Sequence, residues 1–221
     1  MRLFKLSLLV IACVVSTACG SAETDTAQRT VNPADAALLN PDAAALTAAA
    51  PDSFTVTFVT SAGAVDVRVH RRWSPRGADR LHYLASHGFF HGARFFRVVP
   101  GFAVQFGLSG RPDVDAVFEK LEFEDEPVKV SNRRGTLVFA TSGPNTRSTQ
   151  LFFNLVDNNY PDDQGFTPVG EVVQGMDVVD RINPEFQEES NLQRRILRDG
   201  NAFFRTRFPT LDSIESVKLK P

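Results

Sequence analysis

From Phe54 onward apolar and polar residues alternate. "FTVTFVT" (54–60) and "AVDVRVH" (64–70) each keep a period of two, which predicts two strands joined as a hairpin through Ser61 to Gly63. "SPRGADRLHYLASHG" (74–88) changes to a helical period. Ala78, Leu81, Leu84 and Ala85 fall on one face, with Ser74 at the N-cap, Pro75 at the first helical position and Gly88 as the stop. Short runs follow, separated by Gly, Pro and Asn: "ARFFRVV", "FAVQFG", "VKVS", "GTLVFAT", "QLFFNLV" and "FTPVGEVV". Each predicts a strand. "GMDVVDRI" predicts a second helix after Gly175, and the alternation in "LDSIESVKL" lets the C-terminus pair back onto the sheet. Many short strands with two isolated helices predict a mainly β protein, a closed β-barrel capped at its ends.

The chain before Phe54 reads differently. Residues 1–19 carry Arg2 and Lys5, then an apolar stretch, then small residues, the layout of a secretory signal peptide. Export to a bacterial cell envelope is therefore expected. The only two cysteines, Cys13 and Cys19, lie within this segment, so no disulfide staples the rest. "STAC" (16–19) resembles the lipobox of bacterial lipoproteins, which implies a lipid attached at Cys19 and a membrane anchor. "VIAC" ending at Cys13, and plain cleavage near Ala22, are the two other readings. Residues 20–52 are rich in Ala, Asp, Thr and Pro without an aromatic residue, so a flexible linker is expected there, with a marginal short helix in "DAAALTAAA". Residues 53–221 form the folded domain, including a partly amphipathic C-terminal extension over 184–210. In it Ile196, Leu197, Phe203, Phe204 and Phe208 are placed to pack on the barrel, or to dock a partner.

Composition narrows the partners. With 24 basic and 26 acidic residues the net charge is -2, which speaks against nucleic acid. Phenylalanine is abundant, 19 residues against one Trp and two Tyr, so the core or a pocket is lined by rings without a polar handle. The four histidines, His70, His82, His87 and His91, read as solvated or capping groups rather than metal ligands, and no metal or cofactor is expected. The acidic run "EKLEFEDEP" reads as a solvated face.

Chemistry concentrates in two segments. "FFRVVPGFAVQ" (95–105) sets Arg97 among apolar residues and ends in Gln105, and "FATSGPNTRSTQLFFN" (139–154) carries Ala140, Thr141, Gln150 and Phe152. With "FEDE" (123–126) and "PVGEVVQGMDVVD" (168–180), their order and spacing resemble the cyclophilin family of peptidyl-prolyl cis/trans isomerases, from about Phe54 to Lys218. The resemblance implies a closed eight-stranded antiparallel β-barrel capped by two α-helices, with a substrate groove on its outer surface. It implies catalysis by Arg97 with Gln105, and proline-containing polypeptides as substrates. Phe102, Ala103, Phe152 and Phe166 match positions that line the proline pocket, and Ala140, Thr141 and Gln150 match positions that hold the peptide backbone. Tyr160 falls where the family has Trp, Phe166 where many members have His, and Ala103 where Met is common. A wider pocket and weaker cyclosporin binding are implied.

The residue types suit that chemistry. Amide resonance puts about 18–20 kcal/mol on peptide-bond rotation, and twisting frees a lone pair on the prolyl nitrogen. A guanidinium aimed at that nitrogen favours the twisted state over the planar one, and an apolar pocket strengthens the donor by lowering the local dielectric. No bond breaks, so no nucleophile is required. The expectation is a monomeric isomerase acting on exported or envelope proteins. A cyclophilin-like module that binds proline segments, or chaperones them with little turnover, is the alternative.

Overall fold

The computed structural model describes residues 33–158, 160–185 and 191–221. The elements, in chain order, are α1 (Pro33–Leu39), α2 (Ala43–Leu46), β1 (Ser53–Thr60), β2 (Gly63–His70), α3 (Pro75–Ser86), β3 (Arg97–Val99), β4 (Ala103–Phe106) and α4 (Pro112–Phe118). They continue with β5 (Thr136–Phe139), β6 (Leu151–Asn154), α5 (Tyr160–Asp163), β7 (Pro168–Gln174), α6 (Met176–Asp180), α7 (Leu192–Arg207) and β8 (Ile214–Lys220). No helix among the described residues is long and apolar enough to cross a membrane.

The eight strands form one sheet in the order β3-β4-β6-β5-β7-β2-β1-β8, and every pairing is antiparallel. The expected hairpin is β1–β2, in register from Ser53 opposite His70 to Thr60 opposite Gly63. The C-terminus returns as β8 along β1. Closure is less complete than expected. The edge strands β3 and β8 share no ladder; the segments ahead of them meet at one bridge, Arg94 opposite Ser213, with backbone bonds from Phe95 N to Asp212 O and Ile214 N to Ala93 O. Beyond Phe95 the cover comes from α7 instead, because Phe96 packs with Leu192, Ile196 and Phe204.

Strand alternation splits the sheet into two apolar faces. Val98, Val104, Phe106, Leu137, Phe139, Leu151 and Phe153 point into the main core beside Phe58, Phe90 and Phe95. Their sequence neighbours point outward, which positions the site described below. Helix α3 packs against β7 and β8, and α6 against β2. The second expected helix is therefore present but short.

Four local expectations change in the fold. "VKVS" forms no strand, because side chains satisfy the backbone around it: Asp162 accepts from Asn132 N and Ser131 Oγ, and Asn132 Nδ2 donates to Phe166 O. Ser74 occupies the N-cap of α3 without capping it through its side chain. The buried Glu126 does so, accepting from Arg76 N at 2.8 Å and Gly77 N at 3.1 Å. The acidic run is thus partly structural, with Asp125 also paired to the buried Arg147. Finally, the linker expected over 20–52 is packed from residue 33 onward. Leu38, Leu46 and Ala50 join the main core, Tyr83 donates to Ala37 O at 2.8 Å, and Ala50 N donates to Asp79 at 2.8 Å. Leucine at those two positions in short amphipathic turns is enough to dock the strap against α3 and α4. Residues 20–32, like the signal peptide and Cys19, lie outside the described residues.

Candidate active site on the outer face of the sheet

β3, β4, β6 and β5 are consecutive neighbours in the sheet, so their outward positions form one surface. Arg97 on β3 stands opposite Gln105 on β4, Gln105 stands opposite Phe152 on β6, and Phe152 stands opposite Val138 on β5. Ala103, Val138 and Phe152 make a second apolar cluster, separate from the core, with Phe102, Ala140 and Phe166 packed against it. Phe166 meets Phe152 edge-on, with ring centroids 5.7 Å apart. Its backbone is held at both ends, by Phe166 N to Pro161 O and Asn132 Nδ2 to Phe166 O. The Asp162 carboxylate that anchors Asn132 is raised by burial, but the donors on Ser131 and Asn132 outweigh this and hold it below its usual value.

A polar chain crosses this apolar patch. Arg97 Nη1 donates to Gln105 Oε1 at 3.5 Å, and Gln105 Nε2 donates to Gln150 Oε1 at 3.0 Å. The Gln105 amide is thereby oriented with its oxygen toward the arginine. Arg97 is exposed, and its guanidinium carbon lies 6.0 Å from the centroid of the Phe102 ring. The remaining donors of a planar, permanently charged group thus stand at the edge of an apolar patch.

Backbone geometry keeps the two motifs in contact. Gly107, at φ +103, ends β4 where a Cβ would lie 2.4 Å from Thr149 O, so only glycine lets the chain pass this close to Gln150. Thr141 and Ser142 lie between two grooves. One, of about 120 Å³, is lined by Gln105, Gln150, Glu119 and Gln193; the other, of about 430 Å³, by Phe166, Pro144, Arg147 and Asp125. Thr141 Oγ1 bonds within its own loop, to Gly143 O and Thr146 Oγ1, and shapes that ridge.

The two motifs resemble one family, and the sheet now shows their residues meeting on one surface. The family model described as cyclophilin type peptidyl-prolyl cis-trans isomerase/CLD matches residues 55–199. The chain belongs to the cyclophilin-type peptidyl-prolyl cis-trans isomerases. Among the cyclophilin's relatives, a peptidyl-prolyl cis-trans isomerase of Acinetobacter baylyi is 32% identical over 135 residues, 58% of this chain and 70% of the relative. Peptidyl-prolyl cis-trans isomerase A of Dickeya dadantii is 34% identical over 146 residues, 61% of this chain and 74% of its own. A crystal structure of a cyclophilin type isomerase of Cryptosporidium parvum superposes with a TM-score of 0.58 at 16% identity, covering 76% of this chain and 98% of that one. The likeness to that structure concerns the fold. This cyclophilin is an isomerase enzyme, as its family and curated relatives are.

The cyclophilin's expected site residues do not all converge. Arg97, Phe102, Ala103, Gln105, Ala140, Gln150, Phe152 and Phe166 share the surface, with Thr141 on its rim. Tyr160 does not join the cluster; it is 68% exposed at the start of α5. The histidines sit in separate contacts: His70 against Trp73, His82 against Phe54, His87 on Tyr83 O and His91 on Glu215 O. Val138 was missed by sequence reasoning, although period-two spacing from Ala140 places it on the same face. Gln193 and Glu119 carry no local signal, because their helices reach the groove only through the fold.

Proposed function

We propose that Arg97 acts on the prolyl nitrogen of an X-Pro bond whose ring rests on Ala103, Val138, Phe152 and Phe166. The observation that carries this is the Arg97–Gln105–Gln150 chain laid across an outward apolar cluster. Gln105 fixes the guanidinium while leaving donors free for substrate, and Gln150 and Ala140 edge the groove where the peptide backbone lies. A second Cryptosporidium parvum structure, obtained in the presence of the dipeptide Ala-Pro, supports proline-containing peptides as the ligand class. The substrates are exported or envelope proteins, and a lipid at Cys19 holds the enzyme at a membrane as a monomer. The layout of residues 1–19 supports that placement.

The test is protease-coupled isomerisation of an X-Pro peptide by residues 22–221, which keep every residue of the core clusters. Arg97→Ala should lower kcat/KM by about 10²–10³-fold, the usual effect of losing one transition-state donor, with the far-ultraviolet circular dichroism unchanged. Equal turnover by the variant sinks the arginine mechanism. A folded wild type that binds X-Pro peptides without accelerating them would make this a proline-binding module.

A further inference from the structure

Helix α7 is the basic pole of an otherwise acidic protein. It holds Arg194, Arg195, Arg198, Arg205 and Arg207 against a single acid, Asp199, whereas the chain as a whole has 24 basic and 26 acidic residues. Leu192, Ile196 and Phe204, on either side of a break at Gly200, are buried against Phe96, Leu108 and Leu211, so the inner face of α7 is spent on the domain. All five arginines are exposed. Asp199 engages Arg195 and Arg198, which leaves positive charge in excess at both ends of the helix. Gly200, at φ 64 and ψ -174, breaks α7 into two short helical segments, so Arg198 as well as Arg205 and Arg207 lies in a last turn that favours cations, whereas Arg194 and Arg195 lie in a first turn. Arg194 donates to the neutral Asn191 Oδ1, and Arg195 is shared between Asp199 and the Phe203 ring, so the exposed face keeps a net positive charge that an external anion can meet.

The path of the chain indicates which one. Asp35 of α1 pairs with Arg111 just ahead of α4, α1 packs on α4, and α4 packs on α7. Arg111 and Asp113 share a groove with Asp199, Asn201 and Arg205. α1 is therefore linked to the basic helix through α4. Fully extended, the segment 20–32 reaches at most about 45 Å, so a lipid at Cys19 would keep this side of the domain within that distance of a bilayer.

We infer that α7 docks on anionic phospholipid headgroups and orients the domain on its membrane. Arginine suits this contact because its planar fork binds phosphate oxygens in pairs. A basic surface next to an acyl anchor adds the second attachment that stable membrane binding requires. The presence of a membrane rests on the Cys19 anchor proposed above, but the docking surface itself is measured without it.

Residues 22–221, which contain no cysteine, are sedimented with vesicles of phosphatidylglycerol and phosphatidylcholine, and with vesicles of phosphatidylcholine alone, at low and at physiological salt. Binding to the anionic vesicles only, weakened by salt, is expected. Replacing Arg194, Arg198, Arg205 and Arg207 together by Gln should lower partitioning more than about 100-fold, at about five-fold per arginine, with X-Pro turnover in solution unchanged. No binding by an active isomerase overturns the inference and leaves the proposed function intact. Unchanged binding by the four-fold variant also overturns it, as does retention on polyglutamate without binding to vesicles, which would make an acidic polypeptide the occupant. Vesicle binding by a protein without isomerase activity would uphold the docking surface and defeat the catalytic reading instead.

Discussion

Arg80 is a charge placed where charge is costly, and replacing it with methionine tests how the fold offsets that cost. Arg80 lies on α3 at 6% exposure, and burial lowers its pKa to about 10. It stays protonated at neutral pH, at a burial cost of about 3 kcal/mol. Against this, Nη1 donates to Leu121 O at 2.7 Å and more weakly to Ser148 O at 3.3 Å. The guanidinium also lies 5.2 Å from the Phe123 ring centroid and 6.0 Å from that of Phe118. Bonds from a charged donor contribute about 1.5–3 kcal/mol each, the longer one at the low end, and the ring contacts about 1 kcal/mol. The favourable terms come to roughly 4–5 kcal/mol, so they exceed the burial cost by only about 1–2 kcal/mol. Arg80→Met, which keeps the apolar contact with both rings, should therefore destabilise by about that amount, a fall in Tm of roughly 3–6 °C. Activity should fall further than stability requires, by about ten-fold in kcat/KM, because Ser148 is two residues from Gln150 and a small misplacement is costly. Urea unfolding and the X-Pro assay measure the two effects. A loss above about 4 kcal/mol would show that burial costs the arginine little, and a fully active variant would refute its role in placing the Gln150 edge.

Asp115, buried beneath the smaller groove, is pushed up from 3.8 to about 6 by burial, against the donors on Ser109 N and Gly110 N. Its folded-state pKa is raised, so its contribution is fully present below about pH 3.8 and is lost as pH rises through about 6, about 3 kcal/mol in all. Thermal unfolding of Asp115→Asn from pH 4 to 7 should lack that decline, and parallel curves for the two proteins would contradict it. Leu38→Ala in α1 should cost about 2–3 kcal/mol by urea titration, the low end for a buried leucine because a short strap can detach locally; no change would mean that the strap is not docked. Labelled palmitate fed to cells should enter the full chain and be lost on Cys19→Ser, while continued labelling would move the anchor elsewhere.

The strap and the outer cluster belong to one arrangement. α1 and α2 brace α3 and α4, Arg80 on α3 holds the loop that leads to Gln150, and Asp115 on α4 holds the loop that leaves β4. The groove is thus supported from behind by elements far apart in sequence, while the outward groups come from the neighbouring strands β3, β4, β6 and β5 and from Phe166 ahead of β7.

The division between local and long-range information follows from this. The period of two in "FTVTFVT" and "AVDVRVH", and the spacing of Ala78, Leu81 and Leu84, determined β1, β2 and α3 from sequence alone, because backbone preference and the choice of buried face are set within a few residues. The two motifs around Arg97 and Gln150 determined the family for the same reason, since their residues alternate along short strands. Tertiary structure alone decided the rest. It showed that Glu126 caps a helix about fifty residues earlier in the chain, that Asp162 and Asn132 hold 128–131 out of the sheet, that Leu38 and Leu46 are core, and that Gln193 reaches the groove. In each case the partner that decides the outcome is distant in sequence, and a residue's own neighbours carry no record of it.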